Sequence, residues 1–329
     1  MSTDHLTIEA KEEVWPLKEP FRISRGSRSE AQLVVVIVSD GRHSGRGEAV
    51  ALARYNQSSA SVLAQIESTK RAKNLNRQSL QELLPPGAAR NALDCALWDL
   101  EAKASRKRVW ELANIPMIPE VETAFTISLN PPENMAAAAK ANAELPILKL
   151  KLGGDHLDLA RVEAVREAAP NVRLLTDANE SWSPQHYQKI VPALEKLGVE
   201  LIEQPFPANA DEVLETLDHP IPVCADESCH TNANLPRLTN RYDVVNVKLD
   251  KTGGLTEALR LCSNARETGF KLLIGCMAST SLAIAPARLL ASSAQWLDLD
   301  GALLLSRDRD HGLTYENGRI GLPSRELWG

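Results

Sequence analysis

Lys151, Asp177, Glu203, Asp226 and Lys248 each close a short apolar run, in ILKLK, VRLLTD, VELIE, IPVCAD and DVVNVK. Successive members lie 26, 26, 23 and 22 residues apart. A strand, a loop, a helix and a return loop fill about that length in repeated βα units. Strand ends of a (β/α)8 barrel gather on one face, where active sites are built. Lys, three carboxylates and Lys around such a face describe a divalent-metal site flanked by two bases.

Asp177, Glu203 and Asp226 offer hard oxygen ligands from three separate elements, a donor set that suits Mg²⁺. No HExxH and no Cys/His cluster of zinc spacing occurs in the chain. Any one of these carboxylates alone reads more readily as the N-cap of the following helix or as a solvated loop residue. Three at consecutive strand ends favour the metal. Gln204-Pro205 after Glu203 forces the chain to leave its strand extended.

Lys149 and Lys151 are two apart on one strand and so point to the same side, the barrel interior. Mutual repulsion favours losing a proton from one of them, and a neutral lysine can act as a general base. Lys248 ends the sixth strand, across the barrel from the second. Two bases then flank one substrate carbon, suited to removing a proton on one face and returning it on the other. Ion pairing with Asp226 or Asp250 is the competing role for Lys248, and Lys251 is a rival base that falls past the strand. Abstraction of a proton α to a carboxylate becomes feasible if Mg²⁺ holds both carboxylate oxygens and stabilises the enediolate.

The elements that must carry these residues are visible in the pattern. Residues 6–15 alternate loosely up to Pro16, QLVVVIV (32–38) is a β-branched run, and Ser39-Asp40-Gly41 is a turn before a returning GRGEAV (45–50). The segment PLKEPFRISRGSRSE between them reads as a polar loop bearing Arg22, Arg25 and Arg28. Helices are expected over about 58–83 and 88–106, on either side of Pro85-Pro86-Gly87. From about residue 120 strands and helices alternate. Strands are expected at 121–128, 147–151, 173–177, 200–203, 222–226, 243–249, 271–275 and 295–300, with helices such as 156–168, 184–197 and 255–267 between them. Eight strands in this alternation predict a parallel, barrel-forming sheet. The chain thus reads as an α/β protein. An α+β capping domain spans about 1–115 and is completed by 306–329, and a modified (β/α)7β TIM barrel spans about 116–305.

The 329 residues carry a net charge of −6 with pI about 5.7, and no basic cluster points to nucleic acid. Residues 1–20 are too charged for a signal peptide, and no apolar stretch reaches the ~18–20 residues of a membrane span. Five scattered cysteines without CxxC spacing fit a reduced, cytoplasmic protein. The seven histidines read as structural or solvated. Trp182 and Trp296 fall near strand ends and are candidates to border a pocket.

With LKLKLGG (148–154), TDANESW (176–182), IEQP (202–205), ADES (225–228) and NVKLDKTGGL (246–255), the chain resembles the enolase superfamily, within it the muconate-lactonizing subgroup. A Lys base working with Mg²⁺ is one arrangement known for that superfamily. The seventh strand ends in CMASTS (276–281), without the His of other subgroups. WLDLDGALLL (296–305) is similar to the dipeptide epimerases, where the pair corresponding to Asp298 and Asp300 binds a substrate α-ammonium. A turn-forming Asp pair before Gly301 is the alternative. Among these the L-Ala-D/L-Glu epimerases take the glutamate side chain on an arginine of the capping loop, here Arg25, with Arg22 second. The resemblance further implies Lys151 and Lys248 as acid/base pair and Lys149 as the neighbour tuning Lys151. It implies Asp177, Glu203 and Asp226 as ligands of one Mg²⁺ per subunit, with Mn²⁺ as the other possible ion, and Asn179 as a residue supporting them. It implies a small dipeptide as partner, no nucleic acid or membrane, a homo-oligomer, and a role in murein peptide recycling. N-acylamino acid racemases, o-succinylbenzoate synthases and cycloisomerases share the catalytic set. A barrel that binds ligand without chemistry is the reading from another class.

Overall fold

The computed structural model describes residues 6–329; the first five, with His5 and the start of the expected capping domain, lie outside the described residues. The N-terminal part is an antiparallel sheet of β1 (Thr7–Ile23), β2 (Gly26–Ser39) and β3 (Ser44–Val50), in that order. Helices α1 (Ser59–Thr69), α2 (Arg77–Leu83) and α3 (Ala88–Ser105) pack on it. Val34, Val36 and Val38 of β2 alternate toward a core shared with Val62, Ile66, Leu80, Leu93 and Ala96. β3 lies so close to α3 that a Cβ at Gly47 would collide with the Ala92 carbonyl oxygen.

Two expectations fail here. PLKEPFRISRGSRSE is not a loop: β1 runs on through Pro16 with a register shift before Phe21, and the hairpin turns only at Ser24-Arg25. The prolines demote the run to an edge strand without ending it, since β2 is the one strand of its sheet that pairs with β1. The helix expected over 58–83 is split, because Asn76 caps α2 by accepting from the Gln78 and Ser79 N–H groups, and Asn74 adopts φ 57°.

The remaining core is an eight-stranded parallel sheet. Its strands, first to eighth, are Phe125–Ile127, Ile147–Lys151, Arg173–Asp177, Val199–Glu203, Val223–Ala225, Val244–Val247, Lys271–Gly275 and Trp296–Asp298. The first and eighth meet through the Ala124 N–H donating to the Leu297 carbonyl at 2.8 Å, and Leu299 N–H donating to the Thr123 hydroxyl. This is a (β/α)7β barrel; the connection after the fourth strand holds only the 3₁₀ turn Glu212–Thr216. The single strand expected over 121–128 is two pieces. Val121–Glu122 pairs with Arg319–Ile320 of the tail, and only Phe125–Ile127 joins the barrel.

The barrel's floor takes one side chain from each strand: Ala124, Ile147, Leu175, Leu201, Cys224, Val244, Leu273 and Trp296. Side chains two residues further on share the same orientation. These positions are Thr126, Lys149, Asp177, Glu203, Asp226, Asn246, Gly275 and Asp298, so a mostly polar layer sits directly above an apolar plug. Trp296 belongs to the floor and Trp182 is buried with its Nε1 donating to Asp158, so neither borders the site's mouth.

Candidate active site

The register fixes the site. Lys151 pairs with Asp177 and Asp177 with Glu203 across adjacent parallel strands, which sets their side chains next to one another above the floor. Asp226 follows directly on the fifth strand. Its N–H donates to Gln204 Oε1 at 2.9 Å, while Gln204 Nε2 donates to Phe206 O, Ser228 and Tyr242. Gln204 holds φ 36°, a left-handed conformation that turns the chain out of the fourth strand. Lys248 follows the sixth strand, and a Cβ at Gly275 would lie 2.8 Å from its Cε and 2.5 Å from Asn246 Oδ1. The glycine ending the seventh strand makes the room in which Lys248 and Asn246 lie.

Charges this deeply buried need partners. Lys151 Nζ donates to Asp177 Oδ2 at 2.5 Å and Lys248 Nζ to Asp226 Oδ2 at 2.7 Å. Lys149, 1 % exposed, has Nζ 2.6 Å from Asp298 Oδ2, 2.6 Å from Glu203 Oε2 and 3.3 Å from Asp177 Oδ2. Lys251 Nζ donates to Asp226 Oδ1 and to the Asp226 and Asn246 carbonyls. Lys251 is thus enclosed beneath the Asp226 carboxylate and serves that residue.

Burial alone would push the Asp226 carboxyl up, but Lys248 and Lys251 outweigh it and hold it well below the carboxylate range. Asp177 is likewise held down, against burial, by Lys151 and Lys149. Glu203 is pushed up, first by burial and then by the Asp177 carboxylate beside it. Lys149 and Lys248 are raised: their carboxylates overcome the burial that would lower them. The repulsion expected between Lys149 and Lys151 is therefore offset at Lys149 by three acids.

Among the described residues no group of three acidic, His or Cys side chains closes on a common point, because ammonium groups stand between these carboxylates. The donor chemistry nevertheless fits a small divalent cation. Three carboxylates stand on consecutive strands, Asp177 and Glu203 repel one another, and Glu203 Oε2 has only its ion pair and accepts no hydrogen bond. Asn179 reaches Asp177 through its backbone, N–H to Oδ1 at 2.9 Å, while its side-chain Oδ1 accepts nothing.

Asp298 ends the eighth strand and Asp300 follows it by two residues. Asp298 is taken by Lys149, and Asp300 Oδ2 accepts the Thr126 N–H at 2.6 Å. Burial, then the neighbouring Asp298 charge, raises the Asp300 carboxyl. Such an acidic pair gains from a cation between its members.

The tip of the β1–β2 hairpin lies over the third and fifth strand ends. Arg25 donates to Asn179 O (2.7 Å), Glu180 Oε2 (3.0 Å) and Glu227 Oε1 (2.6 Å). Arg22 instead lies over the first strand's loop, bonded to Asn130 Oδ1 and, through its N–H, to the Ser128 hydroxyl. Phe21 brings its ring centroid 5.9 Å from Lys151 Nζ. A second loop, Ala53–Tyr55, brings Arg54 onto Glu180 and the Tyr55 ring onto His230, centroids 4.3 Å apart.

Sequence reasoning singled out neither Asn246, which donates to Glu203 Oε1 at 2.8 Å, nor Gly275, Glu180, Glu227 or Arg54. The period-two rule applied backward from Lys248 finds Asn246. Glu180 and Glu227 stand inside the TDANESW and ADES segments, next to residues that were chosen.

Residues 5–113 match the model of the mandelate racemase / muconate lactonizing enzyme N-terminal domain, and residues 134–326 that of the enolase C-terminal domain-like family. The chain is 47 % identical over 320 residues to the L-Ala-D/L-Glu epimerase of Escherichia coli K12, covering 96 % of this chain and 99 % of the relative. It is 46 % identical over 301 residues to an N-acetyl-D-glutamate racemase of a Pseudoalteromonas species, covering 90 % and 95 %. An enolase family member from Agrobacterium tumefaciens with homology to dipeptide epimerases, solved with sodium and L-Ala-L-Glu, superposes with a TM-score of 0.96 at 45 % identity, covering 99 % and 100 %. A dipeptide epimerase from Methylococcus capsulatus, complexed with Mg and L-Arg-D-Lys, gives 0.89 at 29 % identity, covering 97 % of each chain.

Proposed function

The chain belongs to the mandelate racemase / muconate lactonizing enzyme family of the enolase superfamily and is an isomerase of the epimerase and racemase type, and on that premise we propose that it interconverts L-Ala-L-Glu and L-Ala-D-Glu. The observation that carries the reading is the placement of Lys151 and Lys248 on the second and sixth strands, across a ring that holds three carboxylates between them. One lysine, as the free amine, takes the α-proton of the C-terminal residue; the other, as ammonium, gives a proton to the opposite face. Reversal exchanges their roles, so both epimers are substrates. Asp177, Glu203 and Asp226 are the residues to hold Mg²⁺, which when bound takes up the negative charge that develops on the substrate carboxylate.

Asp298 and Asp300, at and just beyond the end of the eighth strand, are the residues to receive the substrate's α-ammonium. Arg25, over the third and fifth strand ends on the far side of the ring, is the residue to receive the glutamate side chain. The hairpin tip and the Ala53–Tyr55 loop cover the mouth and exclude water from the exchanging proton. We assign the reaction to the recycling of cell-wall peptides in the cytoplasm. Among the described residues no helix is long and apolar enough to cross a membrane.

Proton NMR of L-Ala-L-Glu in D₂O, with enzyme and Mg²⁺, tests the reading. Loss of the glutamate α-proton signal with growth of a new diastereomer, both stopped by EDTA, is expected; a dipeptide that keeps its α-proton refutes it. The relative acting on N-acetyl-D-glutamate supports a second reading, racemisation of an N-acylated glutamate. Asp300→Asn separates the two: a dipeptide epimerase loses about 10²-fold or more in kcat/KM with the partner of a buried ammonium, whereas an N-acyl substrate has no such cation to lose.

A further inference from the structure

We propose that Glu180 and Arg54 set the preference for an acidic substrate side chain, Glu180 by fixing Arg25 and Arg54 by cancelling the charge of Glu180. This rests on the reading above that Arg25 meets that side chain. A guanidinium has five N–H donors in a rigid fork. Arg25 uses three: two on Nη1, to Asn179 O and Glu180 Oε2, and one on Nη2, to Glu227 Oε1. Its Nε–H and one Nη2–H have no partner among the described residues. Nε and Nη2 form the side edge of the fork, the edge by which Arg173 grips Glu200 and Arg77 grips Glu101 in this same molecule. Arg25 is therefore held from one side with a carboxylate-binding edge left over.

That hold has an electrostatic consequence. Two carboxylates on one guanidinium leave a net negative group, which would repel an acidic side chain. Arg54 corrects this: its Nε and Nη2 both contact Glu180, at 3.1, 2.8 and 2.9 Å, so the four groups sum to zero charge. Glu180 is further fixed by the Ala208 N–H, which donates to its Oε1 at 2.9 Å. The backbone is built for the arrangement. Asn179 and Glu180 hold φ 46° and 67°, two consecutive left-handed residues of which neither is glycine. That turn aims the Asn179 carbonyl at Arg25 and at the Ser24 hydroxyl while Glu180 reaches both arginines. Strain kept at a barrel mouth by non-glycine residues marks a functional demand. Glu180 has only 6 % of its side chain exposed, against 49 % for Arg54, so the pair is an outer counter-charge on an inner anchor.

The test is the ratio of kcat/KM for L-Ala-L-Glu to that for its neutral isostere L-Ala-L-Gln. Arg54→Met is expected to lower the ratio about tenfold, chiefly through KM of the acidic substrate, because one unbalanced charge then faces it. Arg54→Lys keeps the charge and is expected to keep the ratio within about threefold. The double variant Arg54→Met with Glu180→Gln restores neutrality, leaves an oxygen for Arg25, and is expected to recover most of the loss. A ratio unmoved in Arg54→Met, an equal loss on both substrates, a lysine variant as impaired as the methionine one, or a double variant no better than the single would each overturn the proposal. If the enzyme turns over neither dipeptide but racemises N-acetyl-glutamate, the dipeptide reading fails by itself. The same ratio, measured on N-acetyl-glutamate against N-acetyl-glutamine, then decides this inference.

Discussion

At the scale of single residues, the two lysines carry the strongest expectation. Lys151→Ala and Lys248→Ala should each reduce epimerisation by about 10²–10⁴-fold, the contribution of a positioned acid or base. Circular dichroism should show both variants folded. Full turnover in either would end the two-base mechanism. Gly275 offers a subtler test of the same geometry. Alanine there meets Asn246 Oδ1 at 2.5 Å and Lys248 Cε at 2.8 Å, so both side chains must shift, and the buried Asn246, tied to Glu203, adds a cost to the fold. Displacing a reacting group by about 1 Å costs roughly 10²-fold, so kcat of Gly275→Ala should fall steeply, with a lowered melting temperature but a folded protein. The five charged strand-end residues were legible because each ends a run of strand-forming apolar residues, and period two extends inward from them. Arg54 and Glu180 were not legible, since 126 residues separate them and only the folded hairpin and barrel bring them together.

At the scale of elements, the cap is tied to the barrel by buried acids. Asp250 follows the sixth strand and accepts the Val50 N–H of β3 at 2.9 Å and the Asn91 amide of α3 at 3.0 Å. Burial pushes its carboxyl up to about 6, more than those two donors lower it. Its folded value lies above the unfolded ~3.9, so between about pH 4 and 6 the folded state binds the extra proton. The group favours folding most below that window, and stability drains as pH rises through it, by about 3 kcal/mol at the limit. Asp250→Asn stays neutral throughout. Its denaturation midpoint relative to wild type should therefore improve between pH 4.5 and 7; a difference that stays constant over that range would contradict the assignment. The second to eighth barrel strands were readable to within a residue or two because they form apolar, largely buried runs flanked by turns; the first was not, since half of its expected span pairs with the tail. The β1–β2 hairpin was not, because prolines and arginines outweigh β-propensity in a ribbon whose pairing is supplied by the neighbouring strand. The break in 58–83 escaped because the capping role of Asn76 competes only weakly, in sequence, with a run of helix-forming residues.

At the scale of the whole molecule, residues 305–329 return to the N-terminal domain. Leu17 bridges to Leu305, and the Trp328 indole, fully buried, donates to the Cys95 carbonyl of α3 at 3.0 Å. The Gly329 N–H donates to Asp99, and its carbonyl accepts from Val109 and Arg108. Trp328→Ala should cost about 3–5 kcal/mol in urea unfolding, the range for a large buried aromatic. A loss below about 1 kcal/mol would show that the tail adds little. Residues 306–329 were expected to complete the cap, but the particular contacts were not legible, because the segment is polar and aperiodic and the α3 partners of Trp328 and Gly329 lie more than 200 residues away.

That closure bears on how the molecule comes into being. β1 to α3 are made before the barrel, whereas Trp328 and Gly329, which donate to the Cys95 carbonyl and to Asp99 of α3, are made after it. While the barrel is being synthesised, those two acceptors on α3 stay open to chaperones or to other nascent chains. The N-terminal domain therefore gains these two contacts only after the strands of the barrel have been made.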